Sequence, residues 1–382
     1  MKFPMKSKLL QPYYLLPLVL IGLLAGISGG WIRLGSLLIP LPSAAANHGL
    51  LMVGGFLGTL ISIERAMVMS QKTWLLIPLV TGFSTIPFLM GNSEAGLLLL
   101  MAGSLGLSLI MHLQTLRHPK FHTVLLYVGA ASWFVGNFLA WQTGLIAAGS
   151  TWWIGFLMFT IVGERLELSQ FLPVPSWSKN ALKSLLALFS LGLIIPFHTW
   201  GNEIMGISAL LISAWLLVFD MAKVASKKPG QFRYIGIGLR VGYAWLGLHG
   251  LILLGMESHA LYYDLMLHTF FLGFTFSMIW AHAPIIFPTI FGIRETPFHP
   301  ILWITWAGFQ LTLAGRIGMS LLGEFELRKI FGVTNGYLIL LQFILMAGII
   351  LWKMNQNKKV KPERNRSHAE ELNNQSLLHT RV

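Results

Sequence analysis

The chain alternates between long apolar runs and short polar breaks, and it does so twelve times. The runs lie near 12–32, 44–68, 73–91, 94–113, 121–142, 150–168, 181–198, 204–222, 234–255, 260–291, 299–320 and 330–352. The breaks are turn-forming or charged, as in LIPLPS, GNSE, RHPKFH, PVPSWSK, KKPGQFR and RETPFHP. About twenty apolar residues cross the hydrocarbon core of a bilayer as a helix. Lipid gives the backbone no hydrogen-bond partner, so each run is predicted to be helical. The expected fold is all-α, a polytopic membrane protein of about twelve transmembrane helices. The tenth run is longer than one crossing needs. It must tilt, bend at Pro284 and Pro288, or leave the membrane before its end.

Composition agrees. Of 382 residues, 55% are hydrophobic and 11% charged, against about 25% charged in a soluble domain. The absence of cysteine excludes disulfides, thiolate catalysis, iron–sulfur clusters and covalently attached haem. A metal or cofactor must be held by His, Met, Tyr, carboxylates or backbone.

The net charge of +13 would point to nucleic acid in a soluble protein. Here position along the chain explains it. With the N-terminus and its Lys2, Lys6 and Lys8 in the cytoplasm, all 27 Lys and Arg except Arg33, Arg316, Arg328 and Lys329 fall on the cytoplasmic side or in the tail. That asymmetry places both termini in the cytoplasm of a cell whose inner membrane holds the protein. The basic residues then face anionic lipid, and no nucleic-acid partner is implied. Residues 1–352 form the membrane domain. Residues 353–382 are a polar, basic tail expected to be disordered.

One repeat is visible. ISIERAMVMS ends the second span and TIVGERLELS the sixth, so that Glu64–Arg65 and Glu164–Arg165 lie at equivalent points four spans apart. Four spans further on comes the tenth span. Three groups of four helices is an architecture that would produce this spacing. Acidic–basic pairs also commonly end helices at a membrane surface, and the pattern is open to that reading too.

The histidines narrow the chemistry. His48, His198, His249, His259 and His268 fall in the outer half of their spans, although those spans are far apart in sequence, whereas His282 falls in the inner half. Ionisable residues at membrane depth face the bundle interior and mark partners or function. His268 and His282 are fourteen residues apart on one predicted helix. They share a face but stand roughly 21 Å apart, too far for one metal. A bis-imidazole haem needs histidines from two helices, an apolar slot, and cations for its propionates. His48 precedes GLLMVGGFLG, whose Gly54 and Gly58 permit close approach of a helix or a flat cofactor. Arg33 and Arg316, which break the charge asymmetry, have the forked geometry that suits carboxylates.

At NHGLLMVGGFLGTL the chain resembles the second helix of the haem–copper oxidase catalytic subunit, where a His-Gly near the outer end supplies a low-spin haem ligand. The resemblance extends to twelve spans, both termini inside, a histidine on the tenth span at His268 and an outer arginine at Arg316. It implies three groups of four helices. The oxidase copper motifs are absent: FLMFTIVGERLEL stands where the sixth-span signature would be, and no adjacent histidine pair follows the seventh. An oxygen-reducing oxidase is therefore not expected. HTFFLGFTFSMIWAHAPIIFP is similar to the histidine-bearing helix of the NnrS-like group, membrane proteins associated with haem, copper and the nitric oxide response.

The resemblance implies a b-type haem held by His48 and His268, with Arg33 and Arg316 on its propionates. Copper is the second implied metal, with His249 and His259 as its ligands and His282 as a further metal-binding candidate. Implied partners are nitric oxide or a respiratory redox protein. Two other classes remain open on the residues alone: a proton-coupled secondary transporter with His268 and His282 as stations, and an assembly factor for a respiratory complex.

Overall fold

A computed structural model describes residues 11–36, 40–291 and 295–379. All regular elements among them are helical. Twelve long helices follow one another: α1 (Pro12–Arg33), α2 (His48–Met67), α3 (Lys72–Leu89), α4 (Ser93–Arg117), α5 (Phe121–Thr143), α6 (Ile146–Leu168), α7 (Ser176–Ile194), α8 (Phe197–Phe219), α9 (Gln231–Gly255), α10 (Tyr262–Pro288), α11 (Leu302–Leu322) and α12 (Phe325–His379). Ten are long and apolar enough to cross a membrane. The other two, α7 and α11, fill the seventh and eleventh predicted positions with 19 and 21 residues. The protein is a multi-pass membrane protein. The polar segment 353–379, expected to be disordered, continues α12 as helix. Its straight-chain residues cost a helix little, and Pro362 interrupts the backbone hydrogen bonds within it.

Burial sorts the helices. In their most apolar windows α2 and α6 are each 72% buried and α10 is 67% buried, while the other candidate spans range from 22% to 56%. These central helices are four apart in sequence, the spacing that the Glu-Arg repeat suggested. Most packing is otherwise between neighbours in sequence, notably α4 on α5, α5 on α6, α8 on α9 and α11 on α12.

Without a hydrophobic drive between helices in lipid, close approach and buried hydrogen bonds hold such a bundle. Where α1 meets α2, a Cβ on Gly22 would stand 2.6 Å from the backbone carbon of Gly55. Gly54 and Gly58 admit neighbouring helices, the first of the two uses expected of them. They receive the side chains of Leu100 and Trp133, on α4 and α5. Asn137 bridges that layer, bonding Ser104 and accepting from Trp153 Nε1 at 3.1 Å.

Both α2 and α10 change register just inside the membrane domain. Leu51–Gly58 and Thr269–Phe276 are π-helical, eight residues each. A π turn takes an extra residue into the helix and shifts the direction of every side chain beyond it.

Gly22→Leu should therefore push α1 off α2 and cost about 1–3 kcal/mol through overpacking, read as a lower unfolding temperature in detergent. Gly348→Leu, where a Cβ meets nothing within 4 Å, should leave that temperature unchanged.

Candidate functional site

α1, α2, α6, α10, α11 and α12 enclose a cavity of about 520 Å³ at the end of the bundle where α2 and α10 begin. Such a volume suits a medium-sized organic ligand. Trp31, Met52, Trp153, Phe271 and Phe276 supply apolar wall, and Arg33, His48, Asp264, His268, Arg316 and Arg328 supply the polar groups. Four residues singled out in the sequence, His48, His268, Arg33 and Arg316, thus meet on one cavity from four helices.

His48 opens α2. Its Nδ1 lies 2.7 Å from the carbonyl oxygen of Gly26 on α1. A carbonyl can only accept, so Nδ1 carries the proton and Nε2 keeps its lone pair. The ring fits because position 30 is glycine: a Cβ there would stand 3.0 Å from His48 Cε1.

His268 is held in the same way within α10. Its Nδ1 lies 2.8 Å from the Asp264 carbonyl oxygen and 3.1 Å from Asp264 Oδ1. Arg316 Nη2 is 3.2 Å from Nδ1 and 3.1 Å from Nε2. An atom in the ring plane could not be so near both nitrogens without striking the carbon between them. The guanidinium therefore lies over the face of the imidazole as a cation–π contact, and the in-plane lone pair of Nε2 is not taken by it. In both histidines an engaged Nδ1–H leaves Nε2 as the nitrogen with a lone pair to offer.

Asp264 draws the charges together. Its Oδ1 is 3.0 Å from Arg316 Nη2 and its Oδ2 3.2 Å from Arg328 Nη2. Arg33 Nη1 donates to the carbonyl oxygen of Ala45 at 3.4 Å. Three arginines thus surround the cavity with one carboxylate among them. The Arg316 side chain is only 8% exposed, and the Nε atoms of Arg316 and Arg328 are buried without a hydrogen-bond partner.

Arg328 and Asp264 are the site residues that the sequence reading passed over. Both left a trace. Arg328 is one of the four basic residues on the sparsely charged side, and Asp264 precedes His268 by four residues, the spacing that puts both on one helix face.

The remaining histidines go elsewhere. His249 is fully buried on α9, with Nδ1 3.1 Å from the Met266 carbonyl oxygen and Nε2 unpartnered. His259, half-buried in the turn before α10, accepts the Leu261 N–H. Among the described residues no group of three or more His, Cys, Asp or Glu side chains converges as a metal site. His282 bonds back to the Met278 carbonyl oxygen at 2.8 Å and lies within electrostatic range of Arg165, away from the cavity. The π segment between His268 and His282 breaks the uniform α spacing that had put the two on one wall.

Around Arg165 lies a second polar cluster, at the opposite end of the same three central helices. Arg65 of α2 donates to Glu164 of α6, and Glu64 stands 3.7 Å from the same guanidinium nitrogen. Arg165 lies 4.0 Å from Asp220, which also accepts from Tyr243 at 2.8 Å and Ser169 at 3.0 Å. The two repeated Glu-Arg pairs therefore bond across helices, tying α2 to α6 and α6 to the end of α8.

Fold and site together define a multi-pass helical membrane protein with an internal, cationic, histidine-bearing cavity. The chain belongs to the family described as Domain of unknown function (DUF8744), which matches residues 13–351. No curated protein and no solved structure matches it.

Glu164→Ala should leave the Arg65 guanidinium with Glu64 alone, 3.7 Å away, and cost about 1–2 kcal/mol. That is below the full penalty of an orphaned buried charge, because the Glu164 side chain is 28% exposed. The double variant Arg65→Met/Glu164→Leu should recover most of the loss in a thermal unfolding series.

Proposed function

We propose that the protein binds a b-type haem in this cavity, with His48 and His268 as its two axial ligands. The observation that carries the reading is the meeting, on one largely apolar cavity, of two histidines whose Nδ1–H groups are already engaged. A bis-imidazole site needs two neutral histidines from different helices, and α2 and α10 each offer one. Arg33 and Arg316 would hold the propionates, the forked guanidinium matching a carboxylate. The aromatic and aliphatic wall would keep water from the ring.

A haem held there by both histidines would supply one-electron exchange. The chain's own part is to keep both imidazoles in one tautomer and to neutralise two carboxylates inside an apolar bundle. A role in nitric oxide response or in respiratory electron transfer at a bacterial inner membrane follows from the NnrS-like resemblance. Copper at His249 and His259 rests on the suitability of imidazole for that metal. With both termini on the basic side, the cavity would open toward the outer face.

Three arginines would also recognise an anionic substrate of a proton-coupled carrier. Absorption separates the two readings. Protein purified from a haem-sufficient host should show a Soret band, reduced at least about tenfold in His48→Ala and in His268→Ala, the scale on which lost metal-site groups lower affinity. A band unchanged in both variants would exclude these ligands. A colourless, metal-free protein with proton-dependent uptake would establish the carrier.

A further inference from the structure

The two candidate ligands are not equivalent. The Nδ1–H of His48 meets a neutral carbonyl alone. The Nδ1–H of His268 meets a carbonyl and, at 3.1 Å, the ionised side chain of Asp264. That carboxylate is in turn shared with Arg316 and Arg328. Negative charge on the far nitrogen of an imidazole makes the near nitrogen a stronger donor to a metal, because the outer-shell partner raises the basicity of the ligand. A stronger donor favours the more highly charged, oxidised iron. Outer-shell hydrogen bonds and local charge are among the means by which a protein sets a haem potential.

On this basis, and resting on the haem reading above, we propose that Asp264 is a positioning residue that sets the reduction potential of the site. It charges the Nδ1–H of His268 and holds Arg316 over the ring. Arg328 modulates the effect by drawing on the same carboxylate through Oδ2. The geometry gives the assignment two signs. Asp264→Asn removes the negative charge but leaves the 2.8 Å backbone contact that anchors the ring, so the ligand stays while its donor strength falls. Arg328→Gln leaves the carboxylate with fewer cations to satisfy, so its pull on the Nδ1–H grows.

The test is a spectroelectrochemical titration of the full-length, haem-loaded protein. Asp264→Asn should keep the Soret band and shift the oxidised–reduced equilibrium toward the reduced form by about tenfold, which is about 59 mV for one electron. Arg328→Gln should shift it in the opposite direction, and Asp264→Glu should restore most of the wild-type value. A residue that merely packs the cavity would not give opposite signs in the two variants. Should Asp264→Asn fail to fold, Arg328→Gln and Asp264→Glu still decide the matter by direction and by rescue. A haem-loaded protein whose potential ignores Asp264→Asn and Arg328→Gln, or moves the same way in both, overturns this proposal alone. A colourless wild-type protein overturns the haem reading and this proposal with it.

Discussion

Charge buried in an apolar bundle has to be answered locally, and that constraint shapes both ends of this protein. A lone ionised side chain costs several kcal/mol to hold away from water, so each buried arginine, Arg65, Arg165 and Arg316, is met by a carboxylate. At one end Asp264 gathers Arg316, Arg328 and His268. At the other, Glu164 and Asp220 answer Arg65 and Arg165. The difference lies in the balance. The second cluster has three carboxylates for two arginines and closes on itself through Tyr243 and Ser169. The first has three arginines for one carboxylate and encloses space. An excess of cation beside an apolar cavity is what a ligand with negative groups and a flat apolar body would satisfy.

The central helices α2, α6 and α10 make this possible. They run between the two clusters, and the bridge at the Arg165 end ties α2 to α6. The π segments in α2 and α10 follow their cavity histidines within a few residues. They let each histidine face the cavity while the rest of its helix presents a different face to its neighbours. Within the first of these segments Gly54 and Gly58 receive Leu100 and Trp133 of α4 and α5, and His282, fourteen residues beyond His268, is carried about 20 Å along the axis to the Arg165 end.

Much of the fold was legible in the sequence, because a bilayer demands about twenty apolar residues per crossing and the chain breaks each run with polar or turn-forming residues. All twelve predicted runs correspond to long helices. Four cavity residues were legible for a related reason: His48, His268, Arg33 and Arg316 are ionisable groups where lipid would reject them, and Arg33 and Arg316 also break the charge rule. Asp264 was hidden by its position in the first turn of α10, where a carboxylate raises no question until Arg316 and Arg328 are brought to it from later helices. The π segments were hidden because an apolar run looks the same whichever hydrogen-bond register the backbone adopts. The helical course of 353–379 was hidden because its composition suits either a solvated helix or a disordered tail.

The central claim is that His48 and His268 together hold one haem iron. Electron paramagnetic resonance on the oxidised, purified protein, with iron determined on the same sample, tests it most directly. The account predicts about one iron per chain and a low-spin signal of two imidazole ligands. An iron-free sample, or a high-spin signal with a single nitrogen ligand, would contradict it.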